Sequence, residues 1–183
     1  MKTKTTCLLL ATVSLLSSCK EKEVTVSATA SPAATGAAPS PALSAVLSAA
    51  PASEAKAIHI VRTTAKPGDE VTVSGKVMGN ENPFVAGRSA FILGDPDVLT
   101  ACNENPDDKC STPWDNCCDS KEDKKRGTAT VQVVDSQGHV LKEPIEGAGG
   151  IAKLSHLTVT GKVAEGSSAD LLIINATAIK KAD

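Results

Sequence analysis

Two stretches of this chain, Val71-x-Val73-x-Gly75-x-Val77 and Leu157-x-Val159-x-Gly161-x-Val163, share one alternating pattern that few folds can satisfy. Apolar side chains at every second position put one face of a strand in a core and the other toward water. The glycine in the third slot permits the sharp coiling that a small barrel of five strands requires. Further strands are expected over 88–93, 128–134 with a hairpin arm at 139–141, and 170–179, where Leu171-Leu172-Ile173-Ile174 predicts burial on both faces. Turn clusters bound them at Lys66-Pro67-Gly68-Asp69, Gly94-Asp95-Pro96-Asp97 and Asp135-Ser136-Gln137-Gly138. Helical periodicity is nearly absent. Five or six strands in about 115 residues need a sheet that closes or nearly closes, so the expected class is all-β.

Gly68-x-x-Val71-x-Val73-x-Gly75-x-Val77, Phe91-Ile92-Leu93-x-Asp95, Thr130-Val131-Gln132-Val133, the strand at 157–163 and Leu172-Ile173-Ile174-Asn175-Ala176-x-x-Ile179 together resemble the bacterial OB-fold domains of the tRNA-anticodon-binding type. The resemblance covers 67–180 and implies a five-stranded OB-like closed barrel, with a cysteine-rich loop (95–127) inserted between its second and third strands. It implies less about ligand. Such barrels bind nucleic acid through aromatic platforms and basic side chains, and the matching strands here offer Phe91 and little else.

The amino terminus carries a second resemblance. Lys2 and Lys4 precede an uncharged run over 5–16, and Leu16-Ser17-Ser18-Cys19 closes it. This layout resembles a bacterial lipobox. The run is about 12 residues, short of the roughly 20 that span a bilayer, so residues 1–18 are expected to be removed as a lipoprotein signal peptide. The lipid expected on Cys19 makes the membrane a partner, and Lys20 rather than aspartate after it favours the outer membrane, at its periplasmic face or at the cell surface. Residues 19–56 are rich in Ala, Ser, Pro and Thr and are expected to form a disordered tether reaching roughly 35 Å. Leu43, Val46 and Leu47 have helical spacing there, but an isolated turn of that length frays. The folded domain is expected over 57–183.

The loop holds the remaining chemistry. Cys102, Cys110, Cys117 and Cys118 follow a C-x7-C-x6-C-C spacing. In an exported chain an even cysteine set predicts disulfides, here two bridges. A bond between adjacent Cys117 and Cys118 would strain its ring, which leaves Cys102 and Cys110 each to pair with one of them. The alternative is a metal site of the four thiolates, for zinc or Cu(I), although zinc knuckles usually show C-x2-4-C. A thiol redox switch is a further alternative, without the C-x-x-C that usually marks one. Trp114 is expected either to pack over the bridges or to contact a partner. Asp95, Asp97, Asp107, Asp108 and Asp115 lack calcium-loop spacing.

Charge narrows the partners. The chain has 19 Lys and Arg against 21 Asp and Glu; without Lys2 and Lys4 the balance is 17 to 21, a net of −4. Phosphate backbones are not attracted overall, so a nucleic-acid-binding OB domain is the lesser alternative. The basic run over 121–126 is interleaved with acids and reads as a solvated loop face. His59, His139 and His156 have no recognisable nucleophile beside them, and Gly147-Ala148-Gly149-Gly150 lacks the Lys-Ser/Thr of a phosphate loop. The sequence therefore reads as a membrane-anchored binding module of the cell envelope, not an enzyme, needing no cofactor and meeting an unidentified protein or small ligand.

Overall fold

The computed structural model describes residues 38–107 and 109–182. The expected leader, Cys19, the expected tether up to residue 37, Asp108 and Asp183 lie outside them. The elements in chain order are α1 (Pro41–Ser48), β1 (Lys56–Ala57), α2 (Ile58–Thr64), β2 (Glu70–Val77), β3 (Ala90–Gly94), α3 (Lys121–Gly127), β4 (Thr128–Gln132), β5 (His156–Val163) and β6 (Ile173–Lys181). Five of the strands close on themselves in the order β2-β3-β4-β6-β5 and back to β2. Every pair around this ring is antiparallel except β4 with β6, which run parallel. One edge of β2 pairs with β5 from Glu70↔Lys162 to Lys76↔His156. Its other edge is shared: β1 covers Val73 and Ser74, and β3 covers Lys76 and Val77. The all-β barrel expected from the alternating strands is thus present, with the cysteine loop between its second and third members.

Alternation fills the interior. Val73, Val77, Phe91, Leu93, Val131, Leu157, Val159 and Ile174 are all buried in one cluster. The two patterned glycines face the backbone of neighbouring strands. A Cβ on Gly75 would lie 2.7 Å from the Gly94 carbonyl oxygen, and one on Gly161 would lie 2.4 Å from that of Asn175. Gly161 also marks the irregularity where β5 slips against β6. A side chain at either position would push paired strands apart, so the repeated glycine is a packing requirement of the closed sheet.

Three expectations are corrected. The tether was expected to run to residue 56, but Pro41–Ser48 is a helix whose Leu43 is fully buried in the barrel's core cluster. Ser40 accepts from the Leu43 N–H, Pro41 starts the helix, and the Ser40 backbone N–H and hydroxyl both donate to the Glu143 carboxylate. Downstream, the Ala52 N–H donates to Thr160 and the Ser53 hydroxyl to Thr72. The ordered domain therefore begins near Ser40, not at 57. Second, β6 starts at Ile173, and Leu171 is 44 % exposed while Leu172 and Ile174 are buried, so the run 171–174 faces the core on one side only. Third, 121–126 is helical, not a loop; Ser120 caps α3 by accepting from the Asp123 N–H, and the helix stays largely solvated. The arm at 139–141 contributes a single bridge, Val134↔Val140. Short α2 carried no strong signal and packs Ile58 and Val61 into the core.

Candidate functional site

The loop leaves the barrel at Asp95 and returns at Gly127, and those ends meet: the Asp95 N–H donates to the Gly127 carbonyl at 2.8 Å. Asp95 is 1 % exposed. One carboxylate oxygen accepts from the His59 backbone N–H at 2.9 Å and lies 2.8 Å from His59 Nδ1; the other accepts from the Asp97 N–H at 3.0 Å. Ala57, at the N-cap of α2, has no side-chain acceptor, and the buried carboxylate supplies one across the fold. His59, Asp95 and Asp97 thus form a structural clasp.

Inside the clasp the chain folds back on itself. The Cys102 N–H donates to the Asp115 carbonyl at 2.7 Å and the Asn103 N–H to that of Pro113 at 2.9 Å, which brings the segment bearing Cys102 against the one bearing Cys117. The Thr100 N–H donates to the Asp119 carboxylate at 3.0 Å, and Met78, Leu99 and Ala101 bury together beneath. Lys76 of β2, 5 % exposed, is ion-paired to Glu104, and Lys124 Nζ donates to the Cys117 carbonyl. Pairing with Lys76 holds the Glu104 carboxyl below the usual carboxylate range. Trp114 is half-buried: its indole N–H donates to the Glu81 carbonyl at 2.8 Å and Lys153 Nζ sits 3.8 Å from its ring centroid. It staples the loop to the β2–β3 connection, and the carbonyl of Trp114 in turn accepts from the Gly79 N–H.

The sulfurs converge as a result. Sγ of Cys102, Cys110 and Cys117 all lie within 4.8 Å of one another. Cys102 and Cys117 are 3.6 Å apart, and Cys117 and Cys118 are 3.8 Å apart. Both separations exceed the roughly 2.05 Å of a disulfide bond. Cys102 is buried, Cys110 half-buried, and Cys117 and Cys118 exposed, so the group has a closed inner side and an open outer one. The Thr112 hydroxyl lies 3.0 Å from Cys110 Sγ. Hydrogen bonding from the Thr112 side chain and then its backbone, with smaller help from the Cys102 and Cys117 sulfurs, holds the Cys110 thiol below its ordinary value. Between Trp114 and Cys117, Asn116 is fully buried, and neither its amide oxygen nor its amide nitrogen has a hydrogen-bond partner among the described residues. The four cysteines were legible from spacing; Lys76, Thr112 and Asn116 were not, since nothing local distinguishes them from other strand and turn residues.

A second feature lies on the outer face of β3 and β4. Ile92, Thr130 and Leu171 line a cleft with Lys124 and Lys125 at its border. Both lysines are engaged, Lys124 with the Cys117 carbonyl and Lys125 with Asp170. Comparison of the chain with protein-family models, with curated proteins and with solved structures finds no match.

Proposed function

We propose that this protein is a lipid-anchored, non-catalytic binding module of the bacterial cell envelope, an OB-like barrel held to the membrane through Cys19. The observation that carries the reading is the closed barrel of five strands in the order β2-β3-β4-β6-β5, with β4 and β6 its one parallel pair. Barrels of this type bind on an open face, and the cleft over Ile92, Thr130 and Leu171 lies on one. Its surface is partly apolar, its two lysines are already paired, and it carries no aromatic platform. That chemistry suits a segment of a partner protein better than a nucleic acid, whose affinity needs unpaired cations and stacking rings.

Anchoring and binding are tested separately. Cys19→Ser is expected to abolish incorporation of labelled fatty acid and to move the protein from the membrane to the soluble exported fraction; retention of label and membrane association would contradict the anchor. A photo-reactive side chain at Leu171 is expected to give one discrete protein adduct in living cells, while the same group at exposed Ile60 on α2 gives none. Equal labelling at both positions would contradict the cleft.

A further inference from the structure

We propose that Cys102, Cys110 and Cys117 form the core of a site for one thiophilic metal ion, Zn2+ or Cu(I), with Cys118 as a fourth ligand. The proposal stands apart from the anchoring and cleft readings and would survive the failure of either.

Geometry carries it first. A Zn–S bond of about 2.3 Å makes the sulfur-to-sulfur edge of a tetrahedral site about 3.8 Å. The observed separations, 3.6 Å for Cys102 to Cys117 and 3.8 Å for Cys117 to Cys118, match that edge. A disulfide framework brings sulfurs together in pairs, whereas here Cys117 approaches Cys102, Cys110 and Cys118 alike. Mutual approach of three sulfurs is what a central ion requires. Three thiolates also satisfy Cu(I), a soft ion that zinc-type tetrahedral geometry does not constrain. Cys118 is 3.8 Å from Cys117 but not within 4.8 Å of all three sulfurs, so it must swing toward the group to fill the fourth position that zinc would add.

The surroundings agree. Asn116 buries a carboxamide with no partner among the described residues, immediately before Cys117. Buried polar groups are rarely left so, which points to a contact that the described residues do not supply. The Thr112 hydroxyl lies 3.0 Å from Cys110 Sγ, placed to hydrogen-bond that sulfur from outside the group of three. The loop backbone around Cys102 is fixed beforehand by the Cys102–Asp115 and Asn103–Pro113 hydrogen bonds and by the Lys76–Glu104 pair, so the group of three sulfurs is held before an ion arrives. With Cys117 and Cys118 exposed, the ion would sit at an open rim and exchange with solvent or a partner's thiols.

The test uses the full lipidated chain, reduced and then stripped of reductant without air. It is titrated with Zn2+ against a chromophoric chelator and, separately, with Cu(I) buffered by bicinchoninate. The expected result is one ion per chain for at least one metal, with affinity lowered about 100-fold by Cys102→Ser and by Cys110→Ser. Circular dichroism of each variant checks the barrel, and half-buried Cys110 guards against a folding failure at buried Cys102. Cys118→Ser is expected to weaken Zn2+ by about 10-fold or more and to leave Cu(I) within about threefold, which identifies the native coordination number. Absence of stoichiometric binding by either ion, or binding unchanged in both the Cys102 and Cys110 variants, overturns the proposal.

Discussion

Gly161 shows how much one residue can decide in a closed sheet. Its missing side chain lets the Asn175 carbonyl approach to within 2.4 Å of where a Cβ would stand, at the point where β5 and β6 change register. Gly161→Ala is therefore expected to destabilise the barrel by about 1–3 kcal/mol in chemical denaturation, with Gly138→Ala much milder because nothing lies within 4 Å of that site and its cost comes from backbone conformation alone. A Gly161 variant as stable as the parent would show that the strands do not meet there. Gly161 was legible because its neighbours repeat the pattern around Gly75; Lys76 was not, since it occupies an outward slot in that same pattern, and only the loop folding over β2 buries it against Glu104. That pair gives a pH signature. The folded carboxyl lies below its unfolded value, so its stabilisation is present above about pH 4.3 and is lost as pH falls through the folded value. Glu104→Gln should lower the melting temperature near neutrality, and its difference from the parent should shrink below about pH 4; a constant difference would contradict the pairing.

At the scale of elements, strands were read with small errors at their ends and helices were mostly missed. The reason is physical: period-two patterning is written locally along β2, β4 and β5, whereas α1, α2 and α3 have eight, seven and seven residues, too short to stand on propensity alone. Helix α1 exists because Leu43 reaches the core and because Glu143, 103 residues away in sequence, accepts from Ser40. No window of the sequence contains both partners. Leu43→Ala should cost about 2–5 kcal/mol in chemical denaturation, the loss expected for a fully buried leucine, while removing residues 20–37 should leave stability unchanged. A Leu43→Ala cost near zero would return α1 to the tether. The loop was legible as a cysteine-bearing insertion, yet its compactness comes from Asp95, Trp114 and Lys76 contacts with other parts of the fold, which spacing does not record.

For the whole molecule, the export proposed from the amino terminus and the sulfur geometry point to different cysteine chemistry. An oxidising compartment favours bridges; three sulfurs drawn to one point favour an ion. The barrel contributes rigidity in either case, because its strands hold both ends of the loop and the Lys76 anchor. Native intact mass spectrometry of the protein extracted from membranes in mild detergent, without reductant or chelator, reads lipid, metal and bridge count on one molecule. The expected result is a chain beginning at an acylated Cys19, carrying one metal ion and all four loop cysteines as thiols after the ion is released. A metal-free chain with two internal bridges would contradict it.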